Sequence, residues 1–357
     1  MDISHVDSNF KIKTGLNKTD IKFYDVKEPP FEINGVFYEA GAFRRIPESV
    51  ARATSDGVAA LHANTAGGRI RFKTDSSYVA VNAKMSRLGK MSHMAFTGSI
   101  GFDLYVKSNG EDVYKNTFVP PTDITERYEG IIEFDAPGMR EITINMPLYS
   151  NVNELYIGLS ENAAVLPPKP YAVSKPVVYY GSSVTQGGCA SRPGMSYQAI
   201  ITRELDCDHI NLGFAGGAKG EEAIARYIAD MDMSLFVFDY DYNSPSLEHL
   251  RTTHGRMFNI IRGKNPDLPI LILSRPSYKL SAGGEERFKI IKQTYDDAVR
   301  GGDKNVYLLK GSKLMETAKL DGTVDGCHPT DFGFASMATA LIPVIRNILR
   351  KSASDDN

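Results

Sequence analysis

The chain has 357 residues and a formal net charge of −2, with no tryptophan. That length is enough for two domains with a core each. The near-balanced charge gives no nucleic-acid or polybasic membrane signal, no apolar run approaches spanning length, and any sugar stacking falls to Tyr or Phe.

The opening Met1-Asp2-Ile3-Ser4-His5 lacks the basic and apolar regions of a signal peptide. The three cysteines, Cys189, Cys207 and Cys327, form no disulfide framework. Together these predict a reducing, cytoplasmic setting. The first half then carries short β-rich runs at 21–24, 69–72, 78–83, 102–107, 130–134, 141–146 and 155–159. Gly, Pro, Asn and Asp separate them, as in Ser108-Asn109-Gly110. Many short strands with turn signals predict an antiparallel sandwich, with Phe102 and Leu104 facing inward. One helix is expected there, over 47–53. The Pro-rich stretch from Leu166-Pro167-Pro168-Lys169-Pro170 to Pro176 marks a junction, so the domains are expected to be 1–165 and 173–357.

The second half alternates. Strands are expected at 177–180, 209–212, 235–239, 270–274 and 306–309, and helices at 197–205, 221–229, 247–261, 285–299 and 332–349. This order predicts a parallel sheet covered by helices on both faces. Residues that follow its strands meet at one sheet edge.

Ser183 lies in Gly181-Ser182-Ser183-Val184-Thr185-Gln186-Gly187, just past the first of these strands. A hydroxyl needs an adjacent base to act as a nucleophile, and that base needs an orienting group. Asp325-Gly326-Cys327-His328 provides both types within one Gly-containing turn. The plainer reading makes Ser183 a cap or turn residue and Asp325 the cap of the next helix. Histidine is scarce, with seven in the chain, so an Asp–His pair in a turn favours the catalytic reading.

On these residues the chain resembles the SGNH or GDSL-type hydrolases. The Gly-Asp-Ser block reads Gly181-Ser182-Ser183, with Ser182 in place of Asp. The Asn211-Leu212-Gly213-Phe214-Ala215-Gly216-Gly217 segment is similar to the second block, and Asp241-Tyr242-Asn243-Ser244 partly matches Gly-x-Asn-Asp. The last block, Asp-x-x-His, is complete in Asp325 to His328. Gly101-Phe102-Asp103-Leu104-Tyr105 resembles the Gly-x-Asp-Leu-Tyr signature of sandwich domains that precede some of these enzymes. The resemblance implies a three-layer α/β/α domain with a flavodoxin-like sheet, after an all-β jelly-roll-like sandwich. It implies Ser183 as nucleophile, His328 as base and Asp325 as its orienter. Ser183 N–H, Gly216 N–H and the Asn243 amide would form the oxyanion hole, with Gly217 competing for the role of Gly216.

The loops 188–197 and 275–278 would border the substrate, with Arg192 and Tyr278 as candidate contacts. Neither loop has a long apolar lid, so short acyl groups on a polar carrier such as an acetylated sugar are expected. An acyltransferase, a lysophospholipase or thioesterase, and an inactive carbohydrate-binding protein remain alternatives. No cofactor is expected and no metal, since there is no H-E-x-x-H, no paired Cys-x-x-Cys and no dense His cluster. Asp239 and Asp241 sit at a strand end, where one is expected to cap the loop. His249 and His254 lie five apart on one helix and share no ligand face. The partner expected is a small-molecule or oligosaccharide ester, with no nucleic acid and no membrane, and homo-oligomerisation open.

Overall fold

The computed structural model describes residues 14–355. The Met1 to His5 start lies outside them. The N-terminal part is a β-sandwich. One sheet runs in the order Ile21–Asp25, Asn151–Ser160, Tyr78–Arg87, Arg127–Glu133, every pair antiparallel. The other runs Val165–Leu166, Arg69–Thr74, Arg140–Asn145, Phe102–Ser108, Glu111–Phe118, with Glu32–Asn34 also on Arg69–Thr74. Between them lies a core that includes Ile70, Phe72, Val79, Val81, Phe102, Leu104, Ile142, Ile144 and Ile157.

Phe102 and Leu104 are fully buried in that core, yet Asp103 on the opposite face is fully buried too. The alternating pattern predicted the first and hid the second, because the back of this sheet is covered by the other half of the molecule. The Glu111–Phe118 strand was not anticipated. It is mostly exposed and polar, and it is reached through Asn109 and Gly110, both at positive φ, as a tight hairpin requires. The helix over Glu48–Thr54 is followed by an unexpected second one, Asp56–Leu61, capped by the Ser55 side chain.

The second half holds a five-stranded parallel sheet in the order Cys207–Gly213, Val173–Gly181, Leu235–Asp239, Ile270–Leu273, Val306–Leu309. Val177 to Tyr180 are buried by helices on both faces, which is why this strand reads as an unbroken apolar run. The strand order reverses at Val173–Gly181, whose next strands in sequence lie on either side of it. That switch point opens a crevice at the carboxyl edge, directly at Ser183.

The Asp331–Asp355 helix corrects one expectation. Its Asp331–Ser352 stretch, with a mean hydropathy of 1.5, is long and apolar enough to cross a membrane by length and composition. Here it packs Phe334, Met337, Ala338, Leu341, Ile345 and Ile348 into the same core as Tyr179 and Tyr197. Its hydrophobicity serves that core face.

The halves share an interior. Ala66, Met94, Leu148 and Tyr149 of the sandwich join the cluster that holds Val184 and Ala190. Arg45 is buried across the boundary and donates to the carbonyls of Leu61, Asn64, Asn211 and Gly213 while stacking on Phe214. Burial pushes its pKa down to about 9.

Candidate active site

Ser183 opens a one-turn helix, Ser183–Gln186, at the end of the Val173–Gly181 strand. Ser182 is its N-cap; its hydroxyl accepts from Val184 N–H at 3.2 Å. A short polar residue suffices there. Gly181 is obligatory: a Cβ would stand 2.0 Å from the Asp239 carbonyl oxygen and 2.1 Å from Thr185 Oγ1. The turn ends at Gly187, at φ 99°. Gly188 N–H then donates to the Ser183 carbonyl at 2.8 Å, and the Tyr149 hydroxyl of the sandwich donates to the same oxygen at 3.2 Å.

Asp325 to His328 form a tight turn. Asp325 Oδ1 accepts from Cys327 N–H at 3.0 Å and His328 N–H at 2.8 Å, and Gly326 adopts φ 84°. The other carboxylate oxygen, Oδ2, lies 2.7 Å from His328 Nδ1. His328 Nε2 lies 2.9 Å from Ser183 Oγ. Partial burial would raise the Asp325 pKa. The backbone and ring hydrogen bonds from His328 and the Cys327 N–H outweigh it and hold the carboxyl well below the usual range. An ionised Asp325 makes Nδ1 the protonated nitrogen and leaves the Nε2 lone pair facing Ser183.

Asn243 and Gly216 are neighbours, in an arrangement the sequence did not predict. Gly216 N–H donates to Asn243 Oδ1 at 3.1 Å, and Asn243 Nδ2 donates to the Phe214 carbonyl at 2.9 Å. Turning the amide over would set donor against donor and acceptor against acceptor, so this orientation is settled by its partners. Gly216 N–H, expected as an oxyanion donor, is engaged by Asn243 in this structure. That N–H holds Asn243, whose second amide hydrogen is left to donate. Gly217 N–H is no substitute, since it donates to the Phe214 carbonyl at 2.9 Å.

Arg192 is also corrected. Its guanidinium donates to Asp103 Oδ2 at 2.9 Å and to the Tyr105 hydroxyl, and stacks 3.8 Å from the Tyr114 ring centroid. It is committed to the sandwich and not to substrate. Asp103 also accepts from Asn145 and Gly194 N–H, both at 2.8 Å. The Gly-x-Asp-Leu-Tyr residues thus clamp the loop that follows the nucleophile.

Tyr278 lines a cavity of about 310 Å³ together with Pro276, Met315, Leu320 and Asp325. A larger cleft, about 960 Å³, lies between the Leu247–Lys264 and Ala282–Arg300 helices; neither cavity includes Ser183 or His328, and the smaller touches the triad only at Asp325. At the strand end, Asp241 pairs with Arg275 at 3.2 Å. Burial, with the Asp241 charge beside it, pushes the Asp239 carboxyl well above its usual value. His249 and His254 bond separately, to Ser244 and Thr294.

Sequence reasoning missed His93. It comes from the sandwich, yet its ring centroid is 5.5 Å from that of His328. No local pattern marks it, because only domain packing brings it there.

Comparison with known proteins follows the same division. Residues 174–346 match the model of the GDSL-like lipase/acylhydrolase family. Residues 21–165 match the GxDLY model, described as the N-terminus of SGNH-hydrolase-type esterases. No match was found among curated proteins. Among solved structures, a protein from Bacteroides ovatus ATCC 8483 described as a GDSL-like lipase superposes with a TM-score of 0.84 at 28% identity, covering 92% of this chain and 98% of its own. The salicylyl-acyltransferase SsfX3 of a tetracycline biosynthetic pathway gives 0.75 at 19% identity, covering 93% and 98%. A family two carbohydrate esterase from Clostridium thermocellum, in complex with cellohexaose, gives 0.63 at 16%, covering 89% and 99%.

Proposed function

This chain belongs to the SGNH/GDSL-type ester hydrolases, and we propose that it is a serine esterase acting on short, acetyl-type esters of a carbohydrate or another small polar carrier. The observation that carries the reading is the unbroken chain Ser183 Oγ–His328 Nε2–Asp325, at 2.9 and 2.7 Å.

In this reading His328 Nε2 takes the Ser183 proton as Oγ attacks the ester carbonyl carbon. Asp325 holds the tautomer and stabilises the imidazolium. Negative charge gathers on the former carbonyl oxygen. Ser183 N–H, first in its helix and so without an intrahelical acceptor, would meet that charge along with the Asn243 amide. Collapse expels the alcohol, which leaves with the proton from His328. Water, deprotonated by the same nitrogen, then releases the acid and restores Ser183. No step calls on a metal.

The short acyl group rests on the rims 188–197 and 275–278, which carry no long apolar lid. The carbohydrate carrier rests on fold-level likeness to the Clostridium thermocellum esterase, which is analogy. A second reading, transfer of the acyl group to an alcohol, has the same fold-level support from the acyltransferase. One experiment tests both. Esters of increasing acyl length and acetylated oligosaccharides are offered with and without an alcohol acceptor, beside Ser183→Ala. Release of free acetate, lost by roughly 10⁶-fold in the variant, is the expected result. A preference for long chains would overturn the acyl assignment, and a new ester in place of acetate would favour transfer.

A further inference from the structure

We propose that His93, Cys189 and His328 form a binding site for a divalent cation of the zinc class, and that its occupation switches the esterase off. The ligand atoms of the three side chains all lie within 4.8 Å of one another. They come from separate parts of the chain: His93 from the loop before the Phe96–Ser99 helix, Cys189 from the loop after the nucleophile, His328 from the Asp325 turn. Neither half holds the set alone.

The donor types select the cation. Two imidazoles and a thiolate suit zinc and its near relatives, whereas magnesium and calcium want oxygen. Tetrahedral zinc, with bonds of about 2.0 Å to nitrogen and about 2.3 Å to sulfur, places its ligands roughly 3.3–3.6 Å apart. The three groups therefore need to close by about an ångström, and exposed His93 is the one free to do so.

The orientation of His328 makes the site inhibitory. Nδ1 is held by Asp325 at 2.7 Å, so a cation must take Nε2. That lone pair is the one set to accept the Ser183 proton at 2.9 Å. It cannot do both. Asp325 backing the ring is also the usual support of a metal-bound histidine, which fixes the tautomer and raises its basicity. Ser183 Oγ or water would complete the tetrahedron.

Cys189 adopts φ 75° and is buried beside His328 and His93. On binding, the S–H bond breaks, a sulfur–metal bond forms, and one proton goes to solvent.

The inhibition rests on the esterase reading; binding does not, and the test separates them. The full-length chain, freed of metal by a chelator, is titrated with zinc and, as a control, magnesium while hydrolysis of a small acetyl ester is followed. Zinc should inhibit, magnesium should not, and chelator should restore the rate. His93→Ala and Cys189→Ser, each read against its own metal-free rate, should need at least about 10-fold more zinc for half inhibition. Separately, cobalt(II) should give a thiolate-to-cobalt absorption band with a tetrahedral visible spectrum, and Cys189→Ser should abolish the band. Zinc that inhibits both variants as strongly as the parent overturns the proposal, as does cobalt without the thiolate band. A chain with the band but no esterase activity keeps the site and loses the reading of the reaction.

Discussion

At His328 the two ring nitrogens face different partners, Asp325 and Ser183, and the Asp325 side can be tested by a single change. Asp325→Asn keeps the shape of the turn but offers Nδ1 an amide in place of a carboxylate. The rate should fall by about 10⁴-fold, as when a triad aspartate is replaced by its amide. A circular dichroism spectrum should remain that of the parent. In the proposed mechanism Asn243→Ala removes a donor to developing charge. It should lower kcat by about 10²–10³ with KM little changed, and initial-rate kinetics on a soluble ester separate the two. An equal loss in binding would make Asn243 a substrate contact. Arg192 teaches the opposite lesson. Its place after the nucleophile made it a substrate candidate, and a buried carboxylate 89 residues away in sequence claims it.

Among the elements, the loop 189–196 is held by the sandwich at several points. Asp103 and Tyr105 hold Arg192, Asp103 takes Gly194 N–H, and the Thr97 hydroxyl donates to the Ser191 carbonyl. Asp103 is completely buried, so Asp103→Ala leaves Arg192 and Asn145 without their acceptor. It should cost about 3 kcal/mol in a urea titration, the lower end for breaking a buried pair. Arg192→Met should cost a similar amount, and the double variant less than the sum. A substrate-binding Arg192 would instead raise KM and leave stability alone. Much of the second half was legible in sequence at this scale. The Tyr197–Leu205 helix and the Leu235–Asp239 and Val306–Leu309 strands have the bounds that periodicity predicts. Buried parallel strands are continuous apolar runs, and their helices carry one apolar face. The sandwich was less legible where strands are short or exposed, as at Glu32–Asn34 and Glu111–Phe118. Such strands gain their stability from partners in the sheet, so their own residues carry little pattern.

Taken as a whole, the molecule should not divide into two working halves. A fragment beginning near residue 170 would expose the apolar surface now covered by Met94, Leu148 and Tyr149, and would lose the two bonds from Arg45 to the carbonyls of Asn211 and Gly213. It should be insoluble or poorly active even on a small ester, which expression and an activity assay can check. Full activity would make the sandwich an independent module. Acid should also loosen the whole. Burial pushes His254 from 6.5 down to about 3. Burial, then Arg69 and Arg203, hold His209 well below its ordinary value as well. Below about pH 6.5 the unfolded chain binds protons that the folded chain refuses. Stability should therefore fall as pH drops from about 6.5 toward 3, by up to about 1.4 kcal/mol per pH unit for each histidine. His254→Gln, able to keep a bond to Thr294, should flatten that slope in urea titrations across the window.

Features that depend on neighbours along the chain were readable in the chain alone. The parallel sheet follows from buried runs alternating with amphipathic helices. The Asp325–His328 pairing follows from a glycine-containing turn that puts residues three apart on one side. Which distant groups share a site depended on how the chain packs, within and between the two halves. That packing turned Arg192 to Asp103, gave Gly216 N–H to Asn243, and laid His93 against His328. Each of these joins residues far apart in the chain, and burial at a shared interface, not local propensity, selects the partner.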